Sequence, residues 1–332
     1  MVRKMKEALK LEVILVRKYR SVLKLIEEHK QNLYGVYFFQ DMITDSYLFN
    51  KSIGSMLSTL VELQSQVKIF PDLKLTNWFS SKAYMATLPS KYNLPYTKTF
   101  LIPPSVDPTA QIWAYLQTLS HLSKVVIKKG YSYETMSVQK VKLPIPQHEL
   151  QKGLKEINWI YNYDREIDMR LYEKGCDKVY IVQPWNRVVK NRENEYRYFF
   201  VQGKPVDFFS HGYGEKHSCV FTCPHTKPLQ ALAQDVFHNF VLPHCPYIPA
   251  VLRIDMSYTK DPLLQDDQSL VVKGEKIRYY VNEIEIQPSF FFDTEVDCGK
   301  DTVKFQKNVL QALIREIQTK GSLLPVGLEK ER

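Results

Sequence analysis

The strongest alternation of apolar and polar positions lies within residues 251–288, in the segments VLRIDMSY and IRYYVNEIEIQP. Strand side chains alternate between two faces, so Arg253 and Asp255 share one face of the first segment, and its leucine, isoleucine and methionine share the other. In the second segment Glu283, Glu285 and a glutamine share a face. We therefore expect two paired antiparallel strands.

Pairing of these strands would bring together the carboxylates of Asp255, Glu283 and Glu285. An anionic site made only of oxygen ligands suits Mg²⁺, an ion that proteins usually share with substrate phosphates. The alternative is an ordinary half-exposed hairpin whose polar face simply contacts water. In both interpretations Asn282 is the polar exception on the otherwise apolar face that carries Tyr280.

Shorter patterns divide the chain into three expected units. Residues 1–100 form an N-terminal helical and small α/β lobe with strands in LYGVYFF and near 67–70. Residues 101–185 form a lobe with a hairpin made of KVVIKKG and MSVQKVKL, followed by the buried strand DKVYIVQPW. Residues 186–325 contain the hairpin EYRYFFVQGKPVDFF and the alternating strands.

The expected helices have apolar positions at helical spacing. They cover residues 108–123, 147–174, 228–241 and 301–320. A further helix, capped by Asn77 and neighbouring serines, is expected to carry Lys82.

Composition narrows the class of protein. The chain has 332 residues, 44% of them hydrophobic and 24% charged, which is typical of a globular protein. Its net charge of +9 favours anionic partners such as nucleotides, nucleic acid or acidic peptides, and much of the excess lies in residues 1–30. Without an apolar run of about 18 residues and with five scattered cysteines, we expect a soluble, cytoplasmic protein with free thiols.

Residues 77–288 resemble the ATP-grasp superfamily, with carboxylate-amine ligases as the nearest members. The resemblance is carried by SSKAYMATLPSKYNLPYTKTFLIP, VVIKKG, VYIVQPW, EYRYFFVQGKPV, RIDM and NEIEIQP. It implies an α/β (α+β) fold of ATP-grasp architecture, in which the nucleotide is held between two α+β lobes and a small α/β lobe precedes them.

The resemblance also implies a role for each matched residue. Asp255 and Glu283 correspond to magnesium ligands, with Glu285 beside them. Arg253 and Arg197 correspond to catalytic phosphate contacts. The nucleotide-binding positions are Lys82, Lys128, Gln183, Pro184, Trp185, Glu195 and Arg197. ATP and Mg²⁺ are the implied cofactors, with an unidentified acceptor as the second substrate.

Two departures from the family pattern concern the phosphate loop and the metal strand. The loop segment KGYSYET keeps only Gly130 and Ser132, where many relatives carry several glycines and serines. The usual Glu-x-Asn is Glu283-Ile284-Glu285 here, so a carboxylate replaces an amide.

Several residues also have ordinary structural interpretations. Lys128 would guard an exposed strand edge, Glu195 and Arg197 would form a surface ion pair, and Trp185 would be a core aromatic. The segment HSCVFTCPH offers a mixed zinc site against the alternative of buried thiols and surface histidines. Its candidate ligands are His217, Cys219, Cys223 and His225.

Three functions therefore remain open from the sequence. The first is an ATP-dependent ligase that joins a carboxylate to an amine or thiol through an acyl-phosphate. The second is a kinase-like phosphotransferase of the same superfamily. The third is a basic module that binds nucleotide or nucleic acid without catalysis, which the matched lysines and carboxylates disfavour.

Overall fold

The described residues form two antiparallel sheets, a two-stranded parallel sheet and several helices, in a computed structural model of the chain. The model describes residues 24–25, 28, 36–37, 69–70, 73–103, 105–130, 138–159, 178–186, 195–201, 203–211, 225–245, 248–249 and 251–286. The expected α+β fold class is confirmed. None of the helices in these residues is long and apolar enough to cross a membrane. The basic segment 1–30 (apart from residues 24–25 and 28), the phosphate loop after Gly130, residues 217–224 and the expected helix 301–320 lie outside the described residues.

The N-terminal elements are short. Strands β1 (Val36–Tyr37) and β2 (Ile69–Phe70) pair in parallel, at the two positions where the sequence predicts strands. Helix α1 (Leu73–Ser80) follows. The prediction of a helix that carries Lys82 is wrong, because Lys82 lies beyond the end of α1 in the left-handed conformation, with φ of 59°. A left-handed residue ends an α-helix, and a 3₁₀ turn, Ala83–Ala86, continues the chain.

The small sheet has the strand order β3–β6–β4–β5 and is antiparallel throughout. Its strands are β3 (Lys98–Ile102), β4 (Lys124–Lys129), β5 (Val138–Lys142) and β6 (Lys178–Pro184). Helices α2 (Thr109–Thr118) and α3 (Gln147–Trp159) cover one face through an apolar cluster that includes Ile112, Leu150 and Ile127. The other face is left for the large sheet and the α1 region.

The large sheet has the order β10–β11–β9–β7–β8. Its strands are β7 (Glu195–Val201), β8 (Lys204–His211), β9 (Val251–Thr259), β10 (Leu270–Val272) and β11 (Glu275–Glu285). Helix α4 (Thr226–Val236) continues as a π-helical segment, Phe237–Val241, and ends in the short helix α5 (Leu242–His244). This helical run packs on the apolar face of the sheet.

Strand β9 is buried along its whole length, on both faces. Its apolar side chains pack in the cluster that contains α4, as the alternation predicts. On its polar face Asp255 is only 2% exposed. The half-exposed hairpin is therefore wrong for β9, whose polar face is covered by protein, whereas the side chains of Glu283 and Glu285 on β11 remain 25% and 32% exposed.

Strand β11 pairs with β9 so that Glu283 lies opposite Asp255 and Glu285 opposite Arg253, which confirms the predicted antiparallel pairing. The register shifts between Val281 and Glu283, so Asn282 is an extra residue in a β-bulge. The bulge moves the alternation by one position. As a result Tyr280 packs with the small-sheet cluster, whereas the two isoleucines expected on its face pack with the other cluster.

Candidate active site

Three carboxylates converge on the polar face of β9 and β11. The oxygens of Asp255, Glu283 and Glu285 lie within 4.8 Å of one another. Cross-strand pairing accounts for the position of Glu283 directly opposite Asp255, and two-residue spacing accounts for Glu285 on the same face. The structure thus brings together the three side chains that the sequence analysis assigned to metal binding.

The guanidinium of Arg253 bridges two of these carboxylates. Its Nε donates to Asp255 Oδ1 at 2.7 Å, and its Nη2 donates to Asp255 Oδ2 at 2.8 Å and to Glu285 Oε1 at 2.7 Å. Arg197, on β7, places its Nε 3.8 Å from Asp255 Oδ2 with only 16% of its side chain exposed. The surface ion pair suggested for Arg197 and Glu195 is therefore wrong, since Arg197 is directed at the buried cluster.

Lys82 approaches the same cluster from the turn after α1. Its Nζ lies 2.9 Å from Glu283 Oε1, and the residue is 8% exposed. The turn is supported by the end of β4, where a Cβ on Gly130 would lie 2.3 Å from the carbonyl oxygen of Ser81. Glycine therefore permits this close approach between the turn of Lys82 and the strand of Lys128.

Lys128 reaches the cluster from the small sheet. Strand β4 lies inside that sheet, so the interpretation of Lys128 as an edge-guarding lysine is wrong. Its Nζ donates to Asn282 Oδ1 at 2.7 Å, and Asn282 Nδ2 donates to Glu195 Oε1. The sequence analysis assigned no role to Asn282, although a polar residue on an expected apolar face was the signal.

Electrostatic effects separate the two glutamates of β11. Burial would raise the pKa of Glu283, but Lys82 and then Arg253 outweigh it, so this pKa is lowered. Burial raises the pKa of Glu285 to about 8, despite Arg253, and Glu283 and Asp255 add to the effect by repulsion. The pair therefore holds one firmly ionised carboxylate beside one that binds a proton readily.

Burial also changes the titration of two groups on the other side of the cluster. It lowers the pKa of Lys128 to about 8, and the positive charge of Lys82 contributes. It raises the pKa of Glu195, where Asp255 adds repulsion. Burial therefore disfavours the charged form of both groups, and a nearby opposite charge would stabilise it.

The carboxylate cluster fits a magnesium ion by the chemistry of its donors. All three ligand groups are oxygens, and the raised pKa of Glu285 shows that a further positive charge would be stabilised there. Asp255, Glu283 and Glu285 are the residues that would hold the ion.

Val126 and Gln183 lie next to Lys128 on the side of the small sheet that faces the large sheet, and the region between these two faces is called the cleft below. Because Lys128 faces the large sheet, Val126, two residues earlier on the same strand, faces the same way, and Gln183 is its direct partner on β6. Gln183 is 5% exposed, and its Nε2 has no hydrogen-bond partner among the described residues. A buried amide without a partner is costly, so this donor fits a ligand acceptor.

Pro184 ends β6, and Trp185 follows it. Pro184 pairs with Val125, and the Trp185 amide donates to the carbonyl of Lys124 at 3.2 Å. Trp185 is half-buried, with the ammonium of Lys140 4.6 Å from its ring, so the core-aromatic interpretation is wrong.

Other features of the described residues lie apart from this cluster. A polar cavity of about 430 Å³ is lined by residues 85–99 and 266–268, and none of the predicted site residues contributes to it. Within the segment that offers the alternative of a zinc site, only His225 is described, and its Nδ1 contacts the hydroxyl of Tyr279 at 2.8 Å. Cys245 forms no disulfide with another described residue.

Comparison with known proteins gives matches among solved structures alone. No protein-family model and no curated protein sequence matches the chain. D-cycloserine synthetase DcsG matches with 16% identity and a TM-score of 0.48 over 79% of this chain and 78% of that one. The D-alanine–D-alanine ligase from Bacillus anthracis complexed with ATP matches with 11% identity and a TM-score of 0.48, over 92% and 86% of the two chains.

A RimK domain ATP-grasp protein from Sphaerobacter thermophilus matches with 10% identity and a TM-score of 0.42, over 76% of this chain and 73% of that one. All three TM-scores lie below 0.5, so the functional conclusions rest on the side chains of the cleft.

Proposed function

We propose that this ATP-grasp-like chain is an ATP- and magnesium-dependent ligase that joins a carboxylate to an amine or thiol. The observation that carries the proposal is the convergence of cations and carboxylates from both sheets. Lys82 contacts Glu283 and Lys128 contacts Asn282. Arg253 contacts Asp255, which pairs with Glu283 across the strands. Phosphoryl transfer needs little covalent help from a protein, and such a set provides positioning and charge neutralisation.

The nucleotide would lie between the sheets. Val126 and Gln183 would contact the adenine, and Pro184 and Trp185 would border it through backbone groups. The triphosphate would run toward Lys128 and Lys82, whose ammonium groups are compact charges suited to phosphate oxygens. Glu195, which is held by Asn282, would contact the ribose.

Magnesium, when bound to Asp255, Glu283 and Glu285, would supply charge neutralisation for the phosphates. Arg253 and Arg197 present planar guanidinium groups to the same region, and planar forks match phosphate and carboxylate oxygens. We assign these two arginines to the phosphoryl group in transfer.

The reaction would proceed in two steps. An oxygen of the substrate carboxylate takes the γ-phosphoryl group, the bond to the β-phosphate oxygen breaks, and ADP leaves. The amine or thiol then attacks the carbonyl carbon of the acyl-phosphate, loses its proton and releases inorganic phosphate. No nucleophilic side chain is required, since the substrates carry both nucleophiles.

The test is turnover of ATP with magnesium in the presence of pooled amino acids, peptides and sugars. A ligase gives ADP and free phosphate in equal amounts, and only when a carboxylate and a nucleophile are both present. ADP with a phosphorylated acceptor and no free phosphate would instead establish the kinase-like alternative. The absence of turnover, together with salt-sensitive binding of polyanions, would establish the basic module and overturn the proposal.

A further inference from the structure

Asn282 lies at the only point where the described β9–β11 ladder is irregular. Val281 pairs with Met256 and Glu283 pairs with Asp255, so Asn282 is inserted between two ordinary pairs. In a regular ladder one residue, not two, would occupy the polar face at this level. The bulge turns the side chain of Asn282 into the cleft beside Glu283.

The amide of Asn282 joins groups from two strands. On β4 the Nζ of Lys128 donates to its Oδ1 at 2.7 Å. On β7 the carboxylate of Glu195 accepts from its Nδ2. A lysine ammonium only donates and an ionised carboxylate only accepts, so the orientation of the amide is fixed by its partners.

A neutral amide differs from the two obvious substitutes for it. An apolar side chain would leave the Lys128 ammonium without this acceptor in a buried site. A carboxylate would pair with Lys128 and neutralise the charge that a phosphate needs. An asparagine orients Lys128 and leaves its charge in place. It also keeps Lys128 and Glu195 from forming a direct ion pair.

We propose that Asn282 is a positioning residue, which holds the Lys128 ammonium in the orientation that binds the nucleotide phosphates and separates it from Glu195. This inference rests on the proposed function, because it assigns Lys128 to the phosphates. It adds a residue that acts through Lys128 rather than on the nucleotide itself.

If Asn282 acts through Lys128, the losses of nucleotide affinity caused by substituting each residue should not add in the double variant. Asn282→Leu keeps the branching of the side chain, removes both hydrogen bonds and should weaken binding of a non-hydrolysable ATP analogue about tenfold. Lys128→Met should weaken it about tenfold to a hundredfold. The double variant should bind as weakly as Lys128→Met alone, because the group that Asn282 positions is then absent.

The experiment is calorimetric titration of the full chain with adenylyl imidodiphosphate and magnesium, for wild type, both single variants and the double variant. Asn239→Leu is the matched control, since Asn239 is an exposed asparagine on the helical run after α4, bonded to Asp235, and it should keep wild-type affinity. If Asn282→Leu does not fold, Asn282→Ser is tested in the same cycle, because a smaller polar side chain fits the site without reaching Lys128.

The outcomes separate this inference from the proposed function. Losses that multiply in the double variant, or wild-type affinity of both Asn282 variants, would overturn the positioning role while leaving the nucleotide site in place. Failure of the wild type to bind the analogue would overturn the proposed function and this inference together. If Asn282→Leu weakens binding when Lys128 is present and has no further effect in Lys128→Met, the result supports both.

Discussion

Among single side chains, the two glutamates of β11 differ in the cation that each one contacts. Glu283 has Lys82 at 2.9 Å, whereas Glu285 shares Arg253 with Asp255. This difference explains why the pKa of Glu283 is lowered while burial raises that of Glu285. A site with one fixed anion and one proton-binding neighbour fits the uptake of a divalent cation better than a purely structural ion pair does.

Neutralising one metal carboxylate should remove activity without unfolding the protein. Glu283→Gln keeps an acceptor for Lys82 and relieves repulsion within the carboxylate cluster. We expect ATP turnover to fall by about two orders of magnitude or more. The unliganded melting temperature should change by no more than about 3 °C. Initial rates with saturating ATP and magnesium, and thermal melting, measure the two effects.

Glu275→Gln is the matched control for this variant. Glu275 is an exposed glutamate on the same strand, paired with Lys260 on the surface, so both activity and melting should be unchanged. A large drop in the melting temperature of Glu283→Gln would instead make Glu283 a structural residue.

The pKa of Lys128 predicts how nucleotide affinity depends on pH. Burial lowers this pKa to about 8, so the ammonium loses its proton as the pH rises through that value. Phosphates bind the charged form, so affinity is present below pH 8 and lost above it. Between pH 7 and pH 9 the charged fraction falls from about 0.9 to about 0.1, and the Kd for the ATP analogue should rise about tenfold.

Titrations across this pH range with wild type and Lys128→Met measure the effect. The variant has no ammonium to lose, so its Kd should stay nearly constant over the same range. An equal rise in both proteins would assign the titration to another group and would remove Lys128 from the phosphate site.

Residue identities in the site were largely accessible from the sequence, because alternation alone put Arg253, Asp255, Glu283 and Glu285 on matching faces of paired strands. Asn282 was misplaced, because a period of two has no means of locating a bulge. The left-handed turn of Lys82 was also missed, since lysine is seldom found with positive φ.

Among the elements, the end of β4 and the turn of Lys82 approach each other closely at Gly130. Gly130→Ala would place a Cβ 2.3 Å from the carbonyl oxygen of Ser81, and one of the two backbones must move. We expect the melting temperature to fall by about 2–5 °C. The affinity for the ATP analogue should also fall, because the turn holds Lys82 against Glu283.

Ser123→Ala, at the exposed position just before β4, is the control and should change neither quantity. If Gly130→Ala melted at the wild-type temperature, the turn would accommodate the added Cβ without loss of stability. The position of Lys82 would then not depend on the strand that carries Lys128.

The paired strands β4 and β6 predict where the adenine lies. Val126 faces the cleft beside Gln183 and is 8% exposed, so Val126→Phe should occupy the position that we propose for the adenine. We expect the affinity for the ATP analogue to fall more than about tenfold, as expected when a ring is excluded from a packed site. Binding of bare tripolyphosphate should be unchanged.

Competition titrations with the ATP analogue and with tripolyphosphate measure the two affinities. Leu101→Phe, at a 43% exposed position on β3 of the same sheet, is the control. Equal weakening of both ligands by Val126→Phe would move the adenine elsewhere.

Helix α4 was predictable because it buries one regular face, and β4, β6 and β7 were predictable because each is a short apolar run that is buried on both faces. The order of strands within each sheet was not, since it depends on contacts between distant segments. The three-unit division of the chain remains a prediction.

At the scale of the whole molecule, the two sheets contact each other through charged and polar side chains as well as through apolar packing. Lys128–Asn282 and Lys82–Glu283 both connect the two sides of the cleft. A ligand that bridges the same groups binds only the folded chain, so it must raise the free energy of unfolding. The same molecule carries a net charge of +9, which attracts any polyanion to its surface.

Thermal melting with different anions separates these two effects. At a concentration of 100 times its Kd, adenylyl imidodiphosphate with magnesium should stabilise the protein by about 2.7 kcal/mol, which corresponds to about 4 °C for a chain of this size. The shift should depend on magnesium, should be lost in Glu283→Gln and should survive a rise in salt from 50 to 300 mM, because the buried groups are screened less than surface charges. A short DNA duplex should give a smaller shift that disappears in high salt and ignores Glu283→Gln. If the nucleotide behaved as the DNA does, its binding would be a property of the basic surface, and the cleft between the sheets would not be an ATP site.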